Sequence, residues 1–201
     1  MLPPIKYVPD FDEANHVYTW EGRRVRNVTG ILDRAGMKCK FFRPEPHYKE
    51  RGSAVHYCTQ LLDRDELDTQ ELWKHDGLKA KDRQIRGFVE AYMLFQSDVR
   101  PTILLSESPL YSPHYDVAGT LDRGLVIVRR HGILDIKTGT LPDSTGPQTA
   151  GYASLLFDGE PVPSDIGRWG LRLMKTSKYK LKLFEDSRDY EKFESAAAID
   201  R

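Results

Sequence analysis

The chain has 201 residues, 39% hydrophobic and 30% charged, with 30 basic side chains balanced by 30 acidic ones. That is the length of one domain able to bury roughly 70% of its unfolded surface, and the mix is that of a soluble globular protein rather than a disordered or membrane one. Apolar runs such as Leu125 to Val128 are far too short to cross a bilayer. The opening MLPPIKYVPD lacks the basic flank, apolar core and small-residue cleavage site of a secretory signal, so a cytoplasmic setting with no membrane partner is expected. Cys39 and Cys58 have no paired spacing for zinc and are too few for a disulfide framework or a four-cysteine iron–sulfur cluster.

In chain order, His16 to Trp20 and Arg24 to Val28 alternate around Glu21-Gly22, which predicts a hairpin closed by a tight turn. Thr29 reads as the cap of a short helix from Gly30 to Ile31. Phe41 to Pro46, broken by two prolines, reads as loop. A helix is expected over Arg51 to Asp63, and another over Lys81 to Gln96, where Ile85, Phe88, Val89, Tyr92 and Phe95 recur at three and four residues. Then the period changes. Thr102 to Tyr111, Asp116 to Asp122, Leu125 to Val128 and Gly132 to Lys137 are β-rich runs punctuated by Gly and Pro, an antiparallel meander. Beyond a turn region from Gly139 to Gly146, Gln148 to Leu156 reads as helix. Trp169 to Met174 with Tyr179 to Phe184 reads as a hairpin, and Ser187 to Ile199 as a final helix.

The expected fold is therefore α+β (mixed α/β), with a mostly antiparallel or mixed central sheet flanked by helices. No linker or repeat divides the chain. It is read as a single domain, 1–201, with an N-terminal hairpin and helix extension over 1–50 and a core over 52–185.

Charge is neutral in sum but uneven in place. Between Ile166 and Phe184, Arg168, Arg172, Lys175, Lys178, Lys180 and Lys182 occur without an acid and are interleaved with Trp169 and Tyr179. Arg23, Arg24, Arg26, Arg34, Lys38, Lys40 and Arg43 crowd the N-terminal quarter, whereas Asp63 to Glu71 and Glu185 to Glu194 are acidic. Either basic cluster is a solvated face or a grip for phosphates.

The chemistry centres on Asp135-Ile136-Lys137 at the end of one expected strand, with Asp122 near the end of its neighbour. Residues two apart share a strand face, so Asp135 and Lys137 project together while Ile136 turns away. Two carboxylates suit a hard cation such as Mg²⁺ or Mn²⁺, which would polarise a phosphate and acidify water, and an ammonium beside them would stabilise charge growing on phosphorus. An Asp-x-Lys triplet by itself is more simply a surface ion pair. Upstream, however, stands Gly52-Ser53-Ala54-Val55-His56 on a helix. Glu107 lies one strand before Asp122, and Gln148 and Tyr152 sit at i and i+4 of the next helix.

Taken in order, Gly-xxx-His, Asp, Asp-x-Lys and Gln-xxx-Tyr resemble the RecB-type branch of the PD-(D/E)xK nucleases. The strings VAGTLDRG, ILDIKTG and QTAGYASLL look most like its small phage-type and mitochondrial genome-maintenance exonucleases. The resemblance covers Gly52 to Leu156. It implies a restriction-endonuclease-like αβββαβ core. It also implies a metal site of His56, Asp122, Asp135 and the Ile136 carbonyl holding one or two Mg²⁺ or Mn²⁺ ions, with Lys137 as the catalytic lysine. Gln148 and Tyr152 would position water, lysine or the DNA strand, and Glu107 would hold a second cation or its water. Asp135 stands where many relatives carry Glu, which shortens its reach, and no iron–sulfur cluster is expected.

The implied function is a metal-dependent DNA exonuclease acting on single strands or ends in replication, recombination or repair. It would work in the host cytoplasm if phage-encoded, beside other replication or recombination proteins. Arg168, Trp169, Arg172, Lys175, Lys178, Tyr179 and Lys180 are the candidate DNA contacts, by phosphate binding and base stacking. A structure- or sequence-specific endonuclease on the same fold is the alternative within enzymes, and a non-catalytic DNA-binding or recombination-partner module the alternative outside them. A nucleotide-binding α/β protein ranks last, because no Gly-rich phosphate loop is present.

Overall fold

The computed structural model of the chain describes residues 1–12, 15–37, 46–79 and 84–199. A three-residue strand, β1 (Asp10–Asp12), pairs with β2 (Val17–Trp20), which pairs in turn with β3 (Arg23–Asn27), all antiparallel. Glu21 and Gly22 close the expected hairpin with φ of 50° and 75°, the left-handed pair that a two-residue turn between twisted strands requires.

The cap of α1 (Val28–Arg34) is Asn27 rather than Thr29. Asn27 is still extended at φ −126° and accepts the Gly30 N–H at 2.7 Å, while Thr29 lies inside the first turn and donates its hydroxyl to Asn27. Both residue types cap helices, and what decides is where the chain leaves the strand. Helix α2 (Pro46–Asp63) begins five residues before the expected Arg51. The proline read as a breaker stands at the first helical position, where a fixed φ and a missing N–H cost nothing. The rest of the expected Phe41–Pro46 loop, with Lys38, Cys39, Lys40 and Arg43, lies outside the described residues.

An unforeseen helix, α3 (Thr69–Gly77), is capped by Asp68, whose carboxylate accepts the Glu71 N–H. The helix expected from Lys81 is α4 (Arg86–Val99), with residues 81–83 outside those described. Its start is fixed by α3, where the buried Asp76 carboxylate accepts the N–H groups of Ile85 and Arg86.

The meander has three long strands, β4 (Thr102–Ser112), β5 (Val117–Ile127) and β6 (Arg130–Lys137). The expected runs Asp116–Asp122 and Leu125–Val128 are one strand. Gly124 does not interrupt it, because a side chain there would meet Leu2 and Leu105 at 3.0 and 3.1 Å; glycine marks a close approach rather than a break. Helix α5 (Thr145–Phe157), the hairpin β7 (Gly167–Leu173) and β8 (Tyr179–Leu183), and α6 (Arg188–Ile199) complete the chain.

Among the described residues all eight strands belong to one mixed sheet of order β1-β2-β3-β5-β6-β7-β8, with β4 on the other side of β5. Consecutive strand residues face opposite ways, so Ile133 and Leu134 of β6 serve two cores. Ile133 packs with Val28, Ile31, Leu155 and Phe193 of α1, α5 and α6, and Leu134 with Val55, Phe88, Val89 and Phe95 of α2 and α4. The architecture is α+β, a sheet with helices on both faces. Among the described residues no helix is long and apolar enough to cross a membrane.

One irregularity of the sheet positions everything that follows. Along one side of β5 the partner changes: Val117 and Ala118 pair with β3 in parallel, whereas Arg123 to Ile127 pair with β6 antiparallel. Between these two ladders the sheet forks, and Gly119 to Asp122 run along the open edge.

Candidate active site

Ile136 of β6 reaches this fork. The N–H and C=O of one strand residue point to the same side, and those of Ile136 have passed the last β5 partner. The N–H donates to Asp122 Oδ2 at 2.6 Å and the carbonyl oxygen lies 3.2 Å from His56 Nε2. A backbone edge that the sheet leaves unpaired is thus taken up by an acid from β5 and a histidine from α2.

Asp135 and Lys137 flank Ile136 on the opposite face of the pleat, as the sequence predicts. Asp135 is fully buried and receives Lys137 Nζ at 2.8 to 2.9 Å from its two carboxylate oxygens. Lys137 Nζ also donates to Gln148 Oε1 at 3.3 Å, and Gln148 Nε2 donates to the Tyr152 hydroxyl at 3.1 Å. The i and i+4 positions on α5 therefore form a relay from the lysine to a buried phenol. Gly119 is what lets Tyr152 come this close: a Cβ there would fall 2.8 Å from its ring.

Glu107 occupies the left-handed region, with φ of 44° in the middle of β4. It lies between the pairs Ser106↔Arg123 and Ser108↔Leu121, hence opposite Asp122. Such a backbone costs about 1 to 3 kcal/mol and persists only where surrounding contacts impose it. Here they are a 3.1 Å contact from Glu107 Oε1 to His56 Nδ1 and a 2.7 Å hydrogen bond from Arg123.

His56, Glu107 and Asp122 each offer a ligand atom within 4.8 Å of the others, a spacing that fits one cation. Asp135, expected as a ligand, stands outside this trio and is turned to Lys137. Its Oδ2 is buried and accepts no well-aligned hydrogen bond. Glu107, expected to serve a second cation, is part of the trio. The carboxylate oxygens and the nearby Ile136 carbonyl are donors that suit Mg²⁺ or Mn²⁺, while the imidazole also suits softer transition ions.

The surrounding acids hold a proton on His56, which a bound cation would have to displace. Burial pushes the Asp122 carboxyl up to about 7, despite the opposing charge of His56. Burial works against a charged His56, but Asp122 and Glu107 outweigh it and hold the imidazole at about 9. Glu107, though also raised by burial, is brought below the usual carboxylate range by His56 and Arg123. Burial likewise opposes charge on Lys137, and Asp135 and Asp122 overcome it, so the ammonium persists. Burial, followed by the two aspartates, raises Tyr152 well above the ordinary phenol.

Sequence reasoning missed the support beneath these residues. Arg123, fully buried, donates to Glu107, to the Asp122 carbonyl at 2.6 Å and to Thr59 at 2.9 Å, and pairs with Asp63. Asp63 also accepts from Tyr92, Gln96 and Ser106. The signal was present: a charged residue between Leu121 and Leu125 in a strand buried on both faces demands a partner.

The expected DNA contacts divide. Arg168 and Trp169 are 3% and 6% exposed and face no solvent. Arg168 donates to the Gly146 carbonyl, the Asp189 carboxylate and the Asp186 carbonyl, and Trp169 packs in the core beside Leu134. β7 is an inner strand, covered on its other side by β8, which a count of charges cannot reveal. Arg172 and Tyr179 are half-buried, and the Tyr179 hydroxyl donates to Asp98. Lys175, Lys178, Lys180 and Lys182 are exposed.

An open cleft of about 340 Å³ gives access to His56, Glu107, Asp122, Gln148 and Tyr152. A scan of the sequence against protein-family models finds no match, and a search of curated proteins finds none.

Proposed function

We propose that the chain is a divalent-cation-dependent deoxyribonuclease of the PD-(D/E)xK type, an exonuclease acting on single-stranded DNA or DNA ends. The observation that carries this reading is the convergence at the sheet fork. Asp122 and His56 close on the two backbone groups of Ile136, while Asp135 and Lys137 project from the residues on either side. The run α4-β4-β5-β6-α5-β7 matches the αβββαβ order of such nucleases. Exonuclease rather than endonuclease action rests on the resemblance of the motif strings alone.

Asp122, Glu107, His56 and the Ile136 carbonyl would hold the ion, which when bound polarises the phosphate and makes water a stronger acid, with Asp135 alongside on Lys137. The remaining work falls to the protein. Lys137, fixed as a cation by Asp135, stabilises charge that accumulates on the phosphate oxygens as water displaces the ester oxygen in line. Gln148 holds the lysine in place. Tyr152 stays protonated; its oxygen already accepts from Gln148, so its hydrogen remains to be donated. Arg123 fixes the Glu107 carboxylate from behind.

Digestion of linear, circular, single- and double-stranded DNA with and without Mg²⁺ or Mn²⁺ tests the reading. Linear DNA is degraded only with the ion and circles persist. Lys137→Ala and Asp135→Ala each reduce cleavage by at least ~100-fold, with the melting transition still cooperative. Wild-type rates in both variants would refute the assignment, and cutting of circles would make the enzyme an endonuclease.

A further inference from the structure

The wall of the cleft facing the acids is aromatic, and it comes from the N-terminal hairpin. Phe11, His16 and Tyr18 line the same space as His56 and Asp122. Tyr18 is buried, and its hydroxyl is 2.8 Å from Thr120 Oγ1 on β5, two residues before Asp122. The hairpin is thereby fastened to the strand that carries the acid. Half-exposed Phe11 stacks on Tyr18 with ring centroids 4.4 Å apart and planes 18° apart, and exposed His16 stands edge-on to both.

A second cleft, of about 310 Å³, continues along the hairpin, sharing His16, Tyr18 and Asn27 and adding Arg24, Arg26 and Arg34. Arg26 is committed to the Ala197 and Tyr115 carbonyls, and Arg24 is exposed at the rim. An aromatic platform followed by arginines, leading away from a phosphodiester site, is the arrangement that single-stranded nucleic acid recognition uses.

We propose that β1 to β3 form the strand-binding arm of this site, with Phe11 and His16 stacking an unpaired base next to the scissile phosphate and Arg24 taking a phosphate beyond it. This rests on the nuclease reading. It assigns the role expected of Trp169 and Tyr179 to a different part of the chain. The platform accepts any base, because every base presents a π face, and it requires that the base be unpaired.

The test uses full-length protein and a single-stranded oligonucleotide with 2-aminopurine at successive positions. Bound to Lys137→Ala protein, the fluorophore is quenched at one position, and Phe11→Ala and His16→Ala relieve that quenching. In the active enzyme the same two substitutions raise KM ~5- to 100-fold, more than they lower kcat. When an abasic residue replaces the stacked nucleotide, wild type and variants converge. Arg24→Ala reduces the slope of log affinity against log salt by about 0.7, as one lost phosphate contact does. If the wild type cuts the oligonucleotide but quenching and KM are unmoved in both aromatic variants, the arm is wrong and the nuclease reading stands. If the wild type neither binds nor cuts it, both fall together.

Discussion

Arg123 and Arg168 are both sealed inside the protein, each facing a buried or half-buried carboxylate, and they lead to different places. Arg123 on β5 joins α2 to the strained Glu107 and so to the fork. Arg168 on β7 joins the start of α5, through the Gly146 carbonyl, to the start of α6, through Asp189 and Asp186. Both are costly to bury, and both are held by charge-assisted hydrogen bonds. The neighbours of Arg123, Glu107 and Asp122, line the cleft that holds His56, whereas the Tyr190 ring beneath Arg168 lines a separate one. The destination of a buried charge, rather than its presence, separates a support for chemistry from a support for packing.

The largest effects should come from breaking each network. Arg123→Met takes the cation from the buried Asp63 carboxylate, and denaturant melts should show a loss of about 3 to 5 kcal/mol; Arg168→Met leaves Asp189 with Lys192 and should cost less. Steady-state cleavage per folded molecule should fall only for Arg123→Met. An equal fall in both would erase the distinction.

Smaller effects sharpen it. Overpacking costs of about 1 to 3 kcal/mol are expected for Gly119→Ala, whose Cβ meets Tyr152, and Gly146→Ala, whose Cβ meets the Asp189 carboxylate. Thermal melts should show both, but the first should also lower kcat by displacing the Tyr152 hydroxyl. Glu107→Gln should weaken Mn²⁺ binding ~10- to 100-fold by titration calorimetry, and Asp189→Asn should leave it unchanged.

The smallest effect belongs to a third arginine, Arg23, whose pair with Asp116 is exposed. The hydrogen bond from Arg23, joined by that from Tyr111, holds the Asp116 carboxyl below the ordinary range. Its stabilisation is therefore present above the unfolded carboxyl's pKa of ~3.9 and is lost as pH falls through the lower folded value. Screened by solvent, it amounts to ~1 kcal/mol or less. Acid melts of Asp116→Asn should differ from wild type at pH 6 and converge toward pH 2.

Much of this was legible in local chemistry. Glu21-Gly22 declared the hairpin, the spacing of Phe88, Tyr92 and Phe95 declared α4, and the two-residue period put Asp135 and Lys137 on one face. What stayed hidden depended on distant pairing. Helix α3 has its large apolar residues adjacent, Leu72-Trp73, so no helical period announces it. Nothing local says that β3 lies parallel to β5 and forks the sheet beside Asp122, or that Glu107 turns left-handed to meet His56. Arg168 read as a phosphate contact because burial of a charge is decided by residues 18 and 21 positions away, Asp186 and Asp189.

The central claim is that the fork binds a divalent cation. Anomalous diffraction from crystals soaked in Mn²⁺ tests it most directly. A Mn²⁺ peak within about 2.5 Å of an Asp122 oxygen and the Ile136 carbonyl oxygen is expected, lost in Asp122→Asn. Mn²⁺ bound elsewhere, or a peak at the fork that survives this substitution, would contradict the account.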